Sequence, residues 1–310
     1  MIKGRVARLL QATIVLVIVA YVGRELASQW RAFEALPGRI AVDWLLVAAS
    51  GAVVLGSYGV LIFTWQRTVQ AWGEHLGLAD GARIWFVSNL GRYVPGKVWQ
   101  IGAMGLLAQR AGVSPVAAVG SSLVVSVVNV LAGIAVAALC GAGMLDAPAW
   151  ALPITAALAA GVVATPWILP WFTRLASYLL KREIAEPRIA HRTVWLATLG
   201  CAVAWALYGV AFYLLQLALI GPSGDVLRST AAFTGSYIAG FLFLLAPGGI
   251  GVREVVLQQL LARMGIATGA DAWLLVLASR AWLTVLEIAP GLVFLGFARK
   301  AAPPPSRSTA

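Results

Sequence analysis

Two apolar stretches of this chain are each broken by a Pro-Gly pair, and a cation follows each break within a few residues. The first reads Arg92-Tyr93-Val94-Pro95-Gly96-Lys97; the second reads Ala246-Pro247-Gly248-Gly249-Ile250-Gly251-Val252-Arg253-Glu254. Proline removes a backbone donor and glycine lets the chain reverse, so each stretch is expected to form two half-helices joined by a bend. Open backbone at membrane depth survives only where protein buries it or where it lines a wet cavity. Paired interrupted helices in the two halves of a chain therefore point to a ligand site between the halves.

Composition sets the class. Of 310 residues, 61% are hydrophobic and 11% are charged, where a soluble domain would carry about a quarter charged. The expected fold is an all-α polytopic membrane protein. Apolar runs near 10–28, 44–65, 114–141, 149–172, 193–220 and 271–298 are long enough to span, which takes roughly 20 residues. The broken segments occupy about 83–110 and 229–264. One transmembrane domain over 1–300 is expected, followed by a disordered cytoplasmic tail at 301–310. Lys3, Arg5 and Arg8 precede the first run as in a signal peptide, but no small-residue cleavage site stands before Arg24, so this run is read as an uncleaved span. Trp44, Trp65, Trp150, Trp167, Trp171 and Trp195 fall near span ends, as an aromatic belt requires. Cys140 and Cys201 lack CxxC spacing and read as buried small side chains. His75 and His191 have no ligand spacing, so neither a metal nor a cofactor is expected.

The net charge of +11 raises nucleic acid as a partner, but the distribution of cations argues against it. With a cytoplasmic amino terminus and each broken segment returning to the side it entered, 14 of the 23 cations fall inside and 5 outside, and Arg92, Lys97, Arg253 and Arg280 lie at membrane depth. The positive-inside rule then favours six full spans, two re-entrant helical hairpins and both termini cytoplasmic. The basic excess suits anionic membrane lipid.

The halves 44–141 and 193–298 repeat the order span, broken hairpin, span with reversed orientation. Trp44 to Pro95 is 51 positions and Thr193 to Pro247 is 54. This pattern predicts an inverted repeat. Counted from Arg83, the first arm reaches roughly 13 Å, whereas Ser229 to Ala246 covers roughly 27 Å, so the two bends are expected at unequal depths. Gly235 and Gly240 allow close packing or a kink in that second arm.

The stretch Asn89-Leu90-Gly91-Arg92-Tyr93-Val94-Pro95-Gly96-Lys97-Val98-Trp99, together with Pro247-Gly248-Gly249-Ile250-Gly251-Val252-Arg253-Glu254, resembles the flippase-like transmembrane family, which includes the membrane domain of lysylphosphatidylglycerol synthases. The resemblance covers nearly the whole chain. It implies movement of a charged phospholipid between leaflets of a bacterial or archaeal cytoplasmic (inner) membrane. In multidomain relatives a soluble carboxy-terminal domain performs aminoacyl transfer. This chain stops at Ala310 without one, so no synthase activity is expected and no catalytic residue is assigned.

Ionisable groups at membrane depth are costly, and each is a functional candidate. Lys97, beside the bent backbone of Pro95 and Gly96 and five residues after Arg92, suits a phosphate. Both cations could instead bond orphan carbonyls at the bend. Gly248, Gly249 and Gly251 precede a helix start carrying Arg253, fit for a bidentate grip on phosphate or carboxylate. Glu254 could pair with Arg253, take up a proton or cap that helix. Arg280 and Glu287, seven apart in the last span, read as a structural pair, or as a coupling site with Glu287 beside Lys97 or Arg253. Asn89, Ser126 and Asn129 are candidate cavity-lining residues, and Ser126 with Asn129 would serve equally as interhelical glue.

Three functions fit. The first is a transporter of an anionic phospholipid or lipid-linked phosphate. The second is a non-catalytic partner of a lipid- or glycan-biosynthesis enzyme. The third is a lipid-phosphate glycosyltransferase, ranked last because the loops are short and their acids (Glu25, Glu34, Asp43) are scattered. Oligomeric state is not legible.

Overall fold

The computed structural model describes residues 42–93, 98–141, 190–242 and 251–297, together with Ala160. Eight α-helices follow in order among the described residues. They are α1 (Trp44–Gln70), α2 (Leu78–Asn89), α3 (Val98–Arg110), α4 (Pro115–Gly141), α5 (His191–Ile220), α6 (Val226–Leu242), α7 (Val252–Arg263) and α8 (Gly269–Phe297). A 3-10 turn, Leu90–Tyr93, extends α2 toward the first break. Such tightening is what a helix does before a proline that cannot continue it.

Four helices are long and apolar enough to cross a membrane: Trp44–Gln70, Pro115–Gly141, His191–Ile220 and Gly269–Gly296. They match the expected spans 44–65, 114–141, 193–220 and 271–298; those at 10–28 and 149–172, the 301–310 tail and both termini lie outside the described residues. The surface supports the membrane class. Leu55, Phe63, Leu123, Leu139, Leu199, Val203, Val285 and Val293 are exposed, while Ser50, Ser57, Thr64, Ser121, Thr198, Gln216, Ser279 and Thr284 are buried. Lipid tails are as apolar as leucine, so helices here gain from close packing and internal hydrogen bonds.

The central seam is α1 against α5. Asp43 caps α1, its Oδ1 accepting from the amides of Leu45 (3.0 Å) and Leu46 (3.2 Å), while its own amide donates to the Ala218 carbonyl at 3.0 Å. Ser50 then donates to the carbonyl of Ala211, and Ser57 to that of Ala204 at 3.1 Å. One further step of seven brings Thr64 against Gly200, where an added Cβ would collide with the Thr64 hydroxyl. The partners descend as α1 ascends, so the two helices run antiparallel, with small side chains setting a close approach.

The remaining helices gather around this pair. α2 packs on α1, α3 and α8; α6 packs on α5, α7 and α4; α4 touches α1 and α5, and α8 does the same. Trp65, expected in an interfacial belt, is instead fully buried, donating from its indole to the Ala118 carbonyl at 3.4 Å, whereas Trp44 is 75% exposed.

The two broken segments become short arms. The first arm begins at Leu78 rather than Arg83, because Asp80 and Arg83 are accommodated within the opening turns of α2. With its 3-10 turn it spans roughly 26 Å, against about 26 Å for the 17-residue α6. The first arm is thus longer than the roughly 13 Å expected from the sequence, while the last residues of the expected second arm, 243–246, lie outside the described residues.

Candidate functional site

The second break delivers the chain to α7 through Gly251, whose φ of 87° suits glycine. Glu254 stands three residues into the turn. Its Oε2 accepts from the Gly251 amide at 2.6 Å, and its Oε1 holds the Arg280 Nη1 of α8 at 3.0 Å. One carboxylate thus caps a helix start, favoured by the local dipole, and ties that start to a transmembrane helix. Of the three roles the sequence left open for Glu254, capping is present, and its ionic partner is Arg280.

Arg253 turns to the other side and is 8% exposed. Its guanidinium lies over the Tyr237 ring at 4.6 Å and the Phe233 ring at 5.2 Å, both on α6. Gly240 makes the approach possible, since a Cβ there would stand 2.9 Å from the Cβ of Arg253 and 3.5 Å from its Cα. The close packing expected at Gly240 is therefore present. Nη2 of Arg253 is buried and has no hydrogen-bond partner among the described residues. Stacking on two ring faces fixes the plane of the cation without using its N–H donors. Tyr237, Arg280, Glu254 and Glu287 all lie within electrostatic reach of it.

The first break is bridged from its flanks. Gln100 on α3 donates from Nε2 to the Asn89 Oδ1 of α2 at 2.7 Å, clamping the two arms. Gln100 was missed by sequence reasoning; its signal was an amide pair bracketing Pro95-Gly96. Pro95, Gly96, Lys97, Gly248 and Gly249 lie outside the described residues, and Arg92 is described only as backbone of the 3-10 turn. Ser126 is exposed and donates back to the Ser122 carbonyl at 2.7 Å. The Asn129 backbone carbonyl accepts from the Trp205 indole at 2.8 Å, a bond between α4 and α5 made through the backbone and not through the asparagine side chain.

Sequence reasoning also missed an aromatic row through the centre. Phe294 stacks on Phe86 (5.8 Å), Phe86 meets Tyr58 (5.7 Å), and Tyr58 meets Tyr208 (6.0 Å). Tyr208 then contacts Phe233 (6.1 Å) and Tyr237 (6.4 Å), the two rings beneath Arg253. Its signal is a short repeat, Tyr58-Gly59-Val60 with Gln66 against Tyr208-Gly209-Val210 with Gln216, every member offset by the same 150 positions. Each glutamine is buried and donates into the loop that follows its helix, Gln66 to the Leu76 carbonyl and Gln216 to that of Ser223.

Among the described residues no three His, Cys, Asp or Glu side chains gather as a metal site. Fold and site define a polytopic helical membrane protein with a buried, aromatic-stacked arginine. The model of the family described as "Lysylphosphatidylglycerol synthase TM region" matches residues 8–291, and the chain belongs to that family. No curated protein and no solved structure matches it.

Proposed function

We propose that this chain is a flippase-type transporter, not an enzyme, moving an anionic phospholipid or lipid-linked phosphate between leaflets of a bacterial or archaeal cytoplasmic membrane. Its architecture on this reading is six full spans with two re-entrant hairpins, arranged as an inverted repeat with both termini inside. Equating α1–α4 with α5–α8 turns each helix contact into another that is also present: α4 on α6 becomes α8 on α2, and α1 on α2 becomes α5 on α6. The equivalent helices α1 and α5 run antiparallel, as an inverted relation requires. The Tyr-Gly-Val…Gln repeat supports the same pairing.

The arms also seat alike. Leu90, 12 residues after Leu78, meets Gly291 of α8, where a Cβ would lie 2.8 Å away. Ile238, 12 residues after Val226, meets Gly133 of α4 in the same way, a Cβ there lying 2.7 Å from it. Each hairpin is thus notched into the last helix of the opposite half.

Arg253 carries the functional reading. A buried guanidinium held by ring faces, with a donor left over, is fitted to a phosphate oxyanion. Lys97, with Arg92 and the amides around Gly96, would offer the opposing contact from the first hairpin, and Gly248 and Gly249 the amides beside Arg253. Vesicles containing the purified protein and a headgroup-labelled anionic lipid test the function. Transbilayer exchange above that of protein-free vesicles is expected; its absence, with binding intact, would favour the role of a non-catalytic partner to a biosynthetic enzyme.

A further inference from the structure

The mouth of the first hairpin holds a second feature, far in sequence from Arg253. A small open cleft lies between α2 and α3, lined by Asp80, Arg83 and Ile84 on one arm and by Leu107, Arg110 and Ala111 at the end of the other. We propose that this cleft seats the phosphodiester headgroup of an anionic membrane lipid.

Position, charge and shape argue together. The spanning helix α1 ends at Gln70 just before α2, and the spanning helix α4 starts at Pro115 just after Arg110, so the cleft lies at headgroup depth. Two guanidinium groups face one carboxylate. Asp80 sits in the first turn of α2, where the helix dipole favours an anion without any ligand. Arg110 likewise suits the last turn of α3. Arg83 has no such explanation: its Nε is buried and finds no hydrogen-bond partner among the described residues. A buried donor without an acceptor is costly, and a phosphate oxygen would satisfy it. The cleft is small and open, with room for a phosphate group and not for a whole lipid. Ile84, Leu107 and Ala111 form an apolar wall that suits the glycerol and the first methylenes, and a free phosphate would leave that wall uncovered. The site is independent of transport, because its test reads retention of lipid and not its movement.

The probe is phosphatidylglycerol, whose only charge is the phosphodiester, mixed equimolar with phosphatidylcholine in nanodiscs of the full chain. Native mass spectrometry of the retained lipid gives the readout. The Arg83→Gln/Arg110→Gln double variant is expected to lose phosphatidylglycerol retention by about tenfold, the scale of one charged hydrogen bond. The Arg83→Lys/Arg110→Lys variant should keep most of it. Arg67, exposed at the end of α1 and bonded to Gln70 at 3.3 Å, is the control. Equal loss in Arg67→Gln would reduce the effect to diffuse surface charge and overturn the site, as would wild-type retention in the double variant. Displacement of the lipid by soluble glycerophosphoglycerol would show a soluble-phosphate site and overturn the lipid assignment. Should the Gln variant not fold, a photo-crosslinker at Leu107 in the otherwise native chain decides: preferential capture of phosphatidylglycerol is expected, and equal capture of both lipids contradicts the proposal.

Discussion

Glu254 and Arg280 meet at 3.0 Å, and the same carboxylate accepts the Gly251 amide at 2.6 Å, so the start of α7 is fixed to the middle of α8 by one side chain. The two side chains are 17% and 12% exposed, largely out of solvent. The contact stations α7 so that its neighbour Arg253 reaches the rings of α6.

Removing one partner of such a pair takes from a largely buried charge the counter-ion that this contact supplies. Glu254→Gln is expected to lower stability by about 3 kcal/mol, and Glu254→Ala by about 1 kcal/mol more through loss of the cap. Adding Arg280→Gln to Glu254→Gln should restore part of the loss. Thermal unfolding of the detergent-solubilised variants checks this, and equal stability of all of them would contradict it.

The glycine notches give a paired test of the repeat. Gly291→Ala and Gly133→Ala each place a methyl within 3 Å of the opposing hairpin, and overpacking of this kind costs about 1–3 kcal/mol. The two variants should lose similar stability, and Leu90→Ala should relieve Gly291→Ala alone. A large effect at one glycine and none at the other would break the equivalence.

Topology is read by cysteine labelling in a background without Cys140 and Cys201. His75 and Gln109 flank the first hairpin, Pro222 and Thr268 flank the second, and all four are exposed. Cysteines at His75 and Gln109 should label from the cytoplasmic side only, and those at Pro222 and Thr268 from the opposite side only. Members of one pair labelling from opposite sides would mean that hairpin crosses the membrane.

The sequence was most informative where local chemistry decides the outcome. The four described spans follow from unbroken apolar length, and the cap at Glu254 follows from a carboxylate three residues after a glycine. Gly240 was legible as a close approach, though not its partner. The sequence reading began this arm at Arg83, five residues late, because Asp80 and Gly81 interrupt the apolar run, whereas the dipole at a helix start favours Asp80 there. Glu254 with Arg280, and Asn89 with Gln100, join separate helices, and nothing local predicts which side chains a tertiary fold brings together. The aromatic row left only a faint trace, the Tyr-Gly-Val repeat, because most of its rings are ordinary core residues until seen in line.

The central claim is that the stacked guanidinium of Arg253 binds the phosphate that crosses. It is tested most directly by the rate at which labelled phosphatidylglycerol changes leaflet in vesicles containing Arg253→Gln, with Arg253→Lys and Tyr237→Leu beside it. Loss of a charge-assisted contact predicts a rate about 10- to 100-fold below wild type for Arg253→Gln. A smaller loss is expected for Arg253→Lys, which keeps the charge without the planar fork, and for Tyr237→Leu, which removes one stacking face. A rate equal to wild type in Arg253→Gln, at equal folded protein, would contradict the account.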